Sequence, residues 1–260
     1  MPTWDPDQYL RFADHRTRPL GELLARVPEL PAAPTVLDIG CGPGNSTAVL
    51  RERWPDADLT GIDSSAEMLA TARSAEGEPS AAYLLADATH YDPAPAAPDL
   101  IATNATLQWI EGHLALLPRW ARALRPGGVI ALQVPSNFDQ PSHTLLDELR
   151  RGPRWRARLG DLRLRPDMPE PDAYLHTLLA ADCAADVWET TYRTLLPGTD
   201  PVLEWMKGTG LRPVLGHLAD PAERESFLAE YGALLREAYP TGPHGTVFPF
   251  HRVFAVGVRR

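Results

Sequence analysis

The first half of this chain alternates short apolar runs with segments of helical periodicity, and this alternation constrains the fold more than any other feature. Five apolar runs are predicted as strands, at residues 35–40, 59–63, 81–86, 99–104 and 129–134. Three helices are predicted between them, at residues 45–54, 64–74 and 114–124. A chain with this pattern builds βαβ units, whose strands run parallel and whose helices cover the faces of the sheet.

The second half is less regular but still predicts strands and helices. Two alternating segments are typical of antiparallel strands, 184–195 and 247–258, and two segments are predicted helices, 171–182 and 220–239. We therefore predict an α/β fold with a Rossmann-like, seven-stranded, mostly parallel sheet, an antiparallel last strand, helices on both faces and a helical lid over the substrate site. The chain is predicted to form a single domain over 1–260, with an N-terminal helical segment at 1–30 and lid insertions at about 136–183 and 197–245.

Composition excludes several classes of protein. The chain has 260 residues and a formal net charge of −9, which argues against a nucleic-acid-binding surface. Its two cysteines, Cys41 and Cys183, stand far apart without a CxxC motif, so neither a disulfide scaffold nor a zinc site is expected. No apolar run reaches about 18 residues and the first residues do not resemble a signal peptide, which predicts a cytoplasmic protein without membrane contact.

A glycine-rich turn follows the first predicted strand and opens the first predicted helix. Its sequence is Asp-Ile-Gly-Cys-Gly-Pro-Gly at 38–44, and its glycines let the main chain approach a ligand without hindrance from a Cβ atom. Asn45 stands where the dinucleotide-binding fingerprint has a third glycine, which disfavours a nicotinamide cofactor. Asp38 is predicted to face an ammonium group or to organise the hydrogen bonds of the turn.

Two further acids end the second and third predicted strands. Asp63 lies 19 residues after Gly44, at a strand end where a carboxylate can accept both hydroxyls of a ribose. The alternative interpretation is a helix cap, since Ser64 follows it. Asp87, together with the main-chain amide of Ala88, is predicted to contact the edge of an adenine. A carboxylate in solvent is the alternative for Asp87.

Three acids around one glycine turn resemble the cofactor site of class I S-adenosylmethionine-dependent methyltransferases. Within that class, seven segments resemble the trans-aconitate 2-methyltransferase family. They are Trp-Asp-Pro (4–6) with Tyr-Leu (9–10), Arg-Thr-Arg-Pro (16–19), Leu-Leu-Ala-Arg-Val-Pro (23–28), Gly-Cys-Gly-Pro-Gly-Asn-Ser-Thr (40–47), Gly-Ile-Asp-Ser-Ser (61–65), Asn-Ala-Thr-Leu-Gln-Trp (104–109) and Thr-Gly-Leu-Arg-Pro (209–213). The resemblance covers nearly the whole chain. It implies S-adenosyl-L-methionine as the cofactor and carboxyl O-methylation of a small polycarboxylic acid, trans-aconitate, to its monomethyl ester.

The segment 104–109 leaves the fourth strand at the predicted switch point of the sheet, where ligands bind in open α/β folds. Asn104 is predicted to bond the methionine part of the cofactor, and Leu107, Gln108 and Trp109 are predicted to line its sulfonium. For Trp109 the alternative is a core aromatic. The predicted cofactor-binding residues are Asp38, Gly40, Gly42, Asn45, Asp63, Ser64, Met68, Asp87, Ala88, Asn104, Leu107 and Trp109.

Methylation of a carboxylate needs no general base, because the nucleophile is already ionised at neutral pH. No catalytic residue and no metal are therefore predicted, and the task of the chain is to position a polyanion. Arginine suits this task because its planar guanidinium binds a carboxylate in bidentate fashion. For each single arginine the alternative is a solvated surface position. The predicted substrate-binding residues are Arg16, Arg18, Gln108, His143, Tyr192, Arg212 and Arg252.

Three other functions fit parts of the sequence. A malonyl-carrier-protein O-methyltransferase of biotin synthesis should present a basic face to its acidic carrier, and only the arginines between 150 and 158 offer one. A non-catalytic S-adenosylmethionine-binding protein would keep the glycine turn without an arginine-lined cavity. An NAD-dependent oxidoreductase is third, and Asn45 disfavours it. The sequence leaves the oligomeric state open.

Overall fold

A computed structural model of the chain describes residues 13–75, 81–164 and 168–260, with side chains from residue 18 onward. The described residues form two compact units. The sheet unit comprises the described residues of 13–135, 168–190 and 252–260. The helical unit comprises 136–164 and 191–251.

Eight strands of the described residues form one sheet, and five of them run parallel. They are β1 (Thr35–Ile39), β2 (Asp58–Asp63), β3 (Ala82–Leu85), β4 (Leu100–Asn104), β5 (Val129–Pro135), β6 (Cys183–Leu196), β7 (Thr241–Gly242) and β8 (Gly245–Arg259). The order across the sheet is β3-β2-β1-β4-β5-β8-β6, with β7 paired to β8. β8 runs antiparallel to β5, with Arg252 opposite Pro135. The predicted Rossmann-like fold with an antiparallel last strand is confirmed.

Helices connect and flank these strands. Those of the described residues are α1 (Ala13–Leu24), α2 (Asn45–Arg53), α3 (Ala66–Ala75), α4 (Leu116–Ala123), α5 (Pro141–Arg151), α6 (Arg156–Leu159), α7 (Pro171–Ala180), α8 (Pro201–Lys207), α9 (Arg212–His217) and α10 (Pro221–Ala238). Four of them begin at a proline, which suits a first helical position because the N–H that proline lacks would have no partner within the helix. None of these helices is both long and apolar enough to cross a bilayer.

The predicted strands agree with the structure to within two residues at either end. The strand β7 and the helices α5, α6, α8 and α9 are not predicted. Three of these helices have between four and seven residues, which is too short for a hydrophobic period to show. The predicted insertion at about 136–183 also takes in α7, which the structure assigns to the sheet unit. The role of the insertions as a lid stays a prediction.

One face of the central sheet is packed by α4 and α7 around a hydrophobic core. The core takes Leu37 from β1, Ile101 from β4 and Leu132 from β5. Trp120 of α4 and Tyr174 of α7 are fully buried against it. These apolar residues alternate along each strand with residues that point to the opposite face of the sheet.

The opposite face carries three polar residues of the central strands, Asp38, Asn104 and Gln133. Asp38 of β1 is paired with Ala102 of β4, and Asn104 at the end of β4 is paired with Gln133 of β5. Because the strands are parallel, their carboxyl ends meet at one edge of the sheet. Asn104 and Gln133 are therefore neighbours on one face, at the edge where the chain order reverses between β1 and β4.

Candidate active site

The glycine turn after β1 brings the main chain against the exit of β4. The N–H groups of Gly40 and Cys41 both donate to the carbonyl of Ile62, at 2.7 and 3.1 Å. Gly40 has a φ of +78°, and a Cβ atom placed on it would lie only 2.1 Å from Thr106 Oγ1. Only glycine fits this position, because both the left-handed main chain and the approach of Thr106 exclude a side chain.

Gly42, at the tip of the same turn, faces open space. Its φ is +55°, and a Cβ atom placed on it would meet no atom within 4 Å. Its N–H donates to Asp63 Oδ2 at 2.9 Å, which ties the turn to the end of β2. The turn continues directly into α2, which begins at the half-buried Asn45. The outer side of Gly42 is therefore the part of the turn that has room for a ligand.

Asp38 organises the first turn of α2, as one of its two predicted roles requires. Its Oδ2 atom accepts hydrogen bonds from the hydroxyls of Ser46 and Thr47, both at 2.7 Å. The side chain is 1% exposed. Burial raises the pKa of Asp38 to about 6, the two hydroxyls oppose this rise, and the charge of Asp63 adds to it. The ionised carboxylate is therefore costly, and a nearby positive charge would stabilise it.

Asp63 acts as a cap and remains able to accept further hydrogen bonds. Its Oδ1 atom accepts from the N–H of Ser65 at 2.9 Å, in addition to the bond from Gly42 to Oδ2. The side chain of Ser65 caps α3 by accepting from the N–H of Met68, whereas Ser64 is exposed. Each carboxylate oxygen can accept two hydrogen bonds, so contact with ribose hydroxyls stays a prediction that the geometry permits.

Asp87 is exposed and bonded within its own turn, which is the alternative interpretation of this residue. Its Oδ1 atom accepts from the N–H and the hydroxyl of Thr89, at 2.8 and 2.7 Å, and the hydroxyl bond in particular lowers the pKa of Asp87. Arg119 anchors this turn by donating to the carbonyls of Ala88 and Thr89. The contact of this turn with adenine stays a prediction.

The segment after β4 is strained at its start. Ala105 has a φ of +53°, which is uncommon for a residue with a side chain. Leu107 is fully buried in the hydrophobic core, so its side chain packs the sheet. Trp109 is 53% exposed, so the interpretation of Trp109 as a core aromatic is wrong.

His113 fixes the chain that follows this segment. The carbonyl of Ile110 can only accept, so Nδ1 of His113 donates to it at 3.1 Å. The Nε2 atom then accepts from the hydroxyl of Tyr174 at 2.6 Å. Burial lowers the pKa of His113 and keeps the imidazole neutral. The segment carrying Trp109 is thereby tied to α7.

Buried polar atoms without partners cluster at the exits of β4 and β5. Three of them are Asn104 Oδ1, Gln108 Oε1 and Gln133 Nε2, none of which has a hydrogen-bond partner among the described residues. The other end of the Gln108 amide donates to the carbonyl of Ala105 at 2.6 Å. Buried polar atoms are normally paired, so such a cluster indicates a place for a ligand. Gln133 is not among the predicted site residues. The sequence feature that could have revealed it is a polar residue inside an otherwise apolar strand.

Of the predicted arginines in the sheet unit whose side chains are described, Arg18 and Arg252, the structure brings Arg252 to this cluster. Arg252 is 5% exposed, and its Nη1 atom donates to Gln133 Oε1 at 2.8 Å. Arg18 forms a surface ion pair with Glu22 at 2.7 Å, and its side chain is 70% exposed. That position matches the solvated alternative for Arg18. The side chain of Arg16 lies outside the described residues.

The helical unit brings two other predicted residues close together. His143 of α5 lies against the loop before α9, because a Cβ atom on Gly210 would be 3.3 Å from His143 Nε2. Arg212 is the first residue of α9 and is half-buried. The edge of Phe138 packs on the ring of His143, with centroids 5.0 Å apart. Tyr192 of β6 is buried in the same unit.

Four of the five arginines between 150 and 158 form ion pairs with acids. Arg150 is buried and donates to Asp147, as well as to the carbonyls of Leu159 and Gly160. Two others are paired with glutamates of α10: Arg154 with Glu230, and Arg158 with Glu223. These acids therefore offset most of the positive charge that a carrier-protein methyltransferase would present in this run.

Comparisons with known proteins agree with this geometry. Residues 36–128 match a family model described as a methyltransferase domain. A solved structure of phosphoethanolamine N-methyltransferase 2 from Haemonchus contortus, in complex with S-adenosyl-L-methionine, has a TM-score of 0.55 at 16% identity, covering 93% of this chain and 52% of that chain. The doubly wound sheet, its glycine turn and these matches make the protein a class I S-adenosylmethionine-dependent methyltransferase.

Sequence relatives narrow the class. A trans-aconitate 2-methyltransferase of Streptomyces avermitilis is 56% identical over 262 residues, which cover 98% of this chain and 97% of that protein. Another, from Azoarcus sp. (strain BH72), is 49% identical over 261 residues and covers 100% of both. The chain belongs to the trans-aconitate 2-methyltransferase family. The carrier-protein, non-catalytic and NAD-dependent alternatives are not favoured.

Alanine at Gly40 and at Gly42 should have different consequences. The added methyl group of Gly40→Ala collides with Thr106, so we expect a lower Tm. The added methyl group of Gly42→Ala meets no atom, so the substitution costs only about 1–2 kcal/mol, for placing alanine in a left-handed conformation. The same methyl group enters the space that we expect the cofactor to occupy. Calorimetry should show S-adenosylhomocysteine binding to Gly42→Ala weakened at least tenfold, about 1.4 kcal/mol. Wild-type affinity in folded Gly42→Ala would mean that the cofactor lies elsewhere.

Proposed function

We propose that the protein methylates a carboxylate of a small polycarboxylic acid, trans-aconitate, and forms its monomethyl ester with S-adenosylmethionine as the methyl donor. The observation that carries this proposal is the 56% identity to a trans-aconitate 2-methyltransferase along 98% of the chain. The identity extends well beyond residues 36–128, which match the general methyltransferase domain. It therefore supports the acceptor as well as the methyl donor.

This reaction requires the methyl donor and the acceptor carboxylate to be correctly positioned, and it requires no proton transfer to a side chain. When bound, S-adenosylmethionine supplies an electrophilic methyl group on a positive sulfur. A carboxylate oxygen attacks the methyl carbon in line, the new C–O bond forms, and the electron pair of the broken C–S bond stays on sulfur. The carboxylate carries no proton at neutral pH, so no side chain has to remove one. The chain contributes binding, orientation and exclusion of water.

We assign the cofactor to the carboxyl ends of β1 to β4. The open side of Gly42 leaves room for it, and the remaining acceptor capacity of Asp63 suits the ribose hydroxyls. Asn104 Oδ1, which has no partner among the described residues, suits the ammonium of the methionine part. The buried carboxylate of Asp38 favours a positively charged ligand, because a cation offsets the cost of its ionisation.

Binding of a polyanion needs local cations in a chain whose net charge is −9. In the sheet unit, the buried guanidinium of Arg252 supplies one beside Gln133, whose Nε2 atom has no partner among the described residues. In the helical unit, His143 lies against the loop that leads into α9, and Arg212 is the first residue of α9. These residues support a carboxylate-binding role.

We also propose a cytoplasmic location and no nucleic-acid partner. The methyl donor is a cytoplasmic metabolite, and the cysteines Cys41 and Cys183 are buried free thiols, as is usual in a reducing compartment. The net negative charge opposes contact with a phosphate backbone.

Methyl transfer from radiolabelled S-adenosylmethionine tests the function directly. We expect label in trans-aconitate, and less in cis-aconitate, citrate and isocitrate. The trans double bond holds its carboxylates at distances from one another that differ from those in the other three acids. Release of the label by mild alkali should identify the product as an ester. Efficient labelling of a malonyl-carrier protein, with none of the small acids labelled, would contradict the proposal.

Lysine at position 212 should weaken binding of the acid more than binding of the cofactor. Arg212→Lys keeps the charge but loses the planar fork, so we expect KM for trans-aconitate to rise roughly tenfold. KM for S-adenosylmethionine should stay near the wild-type value. The control is Arg236→Lys, since Arg236 is another arginine of the helical unit and is held in an ion pair with Asp200. Equal loss for both ligands would assign Arg212 a structural role.

A further inference from the structure

Gln133 is a fully buried amide inside an otherwise apolar strand. Its side chain is 0% exposed, between Leu132 and Val134 of β5. Its Oε1 atom accepts from Arg252, whereas Nε2 has no partner among the described residues. A donor held away from water without a partner costs about 1–3 kcal/mol. Proteins retain such a cost at positions where function gives the group a partner.

Arg252 determines which end of this amide is available. A guanidinium has donors and no acceptor, so it binds the Oε1 end and cannot bind the Nε2 end. Turning the amide over would set donors against donors and lose the 2.8 Å hydrogen bond. Because Arg252 is itself buried, it keeps this orientation and directs both N–H bonds of Gln133 away from itself.

Gln133 is on β5, and β4 separates β5 from the strands that carry the glycine turn, Asp63 and Asp87. These cofactor motifs follow β1, β2 and β3, and β5 is the neighbour of β4 on the far side. Gln133 stands directly beside Asn104 in the sheet. Because the cofactor motifs lie on the other side of β4, a ligand that extended from Asn104 toward β5 would be the methyl acceptor.

We propose that Nε2 of Gln133 binds a carboxylate oxygen of the acid, and that Arg252 is a positioning residue that holds the amide in the required orientation. This inference rests on the proposed function and deepens it by naming a residue that selects the acceptor. A carboxylate matches the site because Nε2 offers only donors.

Gln133→Glu tests the proposal, because it keeps an acceptor for Arg252 and replaces the donor by an anionic oxygen. Calorimetry would measure binding of trans-aconitate to the protein saturated with S-adenosylhomocysteine, which cannot react. We expect the dissociation constant of the acid to rise roughly 10–100-fold. Affinity for S-adenosylhomocysteine and the Tm should stay at their wild-type values.

Thr103→Val is the matched control. Thr103 is also fully buried, and its Oγ1 atom also lacks a partner among the described residues. It is paired with Leu132, which belongs to the core on the opposite face of the sheet. Removing this hydroxyl should leave binding of the acid unchanged. If Gln133→Glu does not fold, Gln133→Met removes the amide without adding a charge and should weaken acid binding roughly tenfold.

The positioning role of Arg252 has its own test. Arg252→Met should weaken acid binding as much as Gln133→Met does, and the double variant should be no weaker, because each change removes the same oriented amide. Arg252→Lys, which keeps a donor for Oε1, should recover part of the affinity. Losses that add in the double variant would mean that Arg252 binds the acid by itself, and the positioning role would be rejected.

The outcomes separate this inference from the proposed function. Wild-type affinity for the acid in folded Gln133→Glu overturns the role of Gln133 and leaves the proposed function intact. Parallel loss of both ligands together with a lower Tm indicates a structural amide and also overturns it. A wild-type protein that neither binds nor methylates the acid overturns both.

Discussion

The close approach of Gly40 to Thr106 holds the exits of β1 and β4 together, and the rest of the site is built from this contact. No side chain fits at Gly40, so the main chain itself closes the gap. The N–H groups of the turn then reach the carbonyl of Ile62 and the carboxylate of Asp63, which joins β2 to the same edge. The strand ends are therefore fixed before a ligand arrives, and binding need not order them.

The buried polar residues at the carboxyl ends of β4 and β5 lower the stability of the protein, and we propose that they do so because they bind the ligands. Asn104, Gln108 and Gln133 each keep a buried atom without a partner among the described residues. Such atoms cost about 1–3 kcal/mol each, and apolar residues of similar size would pack the sheet more favourably. A ligand that satisfies them recovers part of this free energy, so the protein should be stabilised by its own substrates.

The sheet and the glycine turn could be predicted because their signals are local. Apolar runs at 35–40 and 99–104 define strands by themselves, and glycines at fixed spacing define the turn. The roles of individual side chains depend on contacts with residues that are farther away in the chain. The burial of Arg150 depends on the carbonyls of Leu159 and Gly160, so composition could not distinguish Arg150 from a solvated arginine of the same run. Gln133 was not predicted because the orientation of its amide depends on Arg252, which is 119 residues away in the chain.

The central claim is that the substrate carboxylate is the nucleophile and that no residue of the chain acts as a base. The most direct measurement is kcat against pH with both substrates saturating, under conditions where a pre-steady-state burst excludes product release as the slow step. Burial raises the pKa of Asp38 to about 6, so Asp38 is mostly ionised above pH 6.5, and burial lowers the pKa of His113, which favours the neutral imidazole. The account predicts a flat profile from about pH 6.5 to 8.5, since carboxylates are ionised and arginines are charged throughout. A rise of tenfold per pH unit across that range would show that a proton must be removed, and would contradict it.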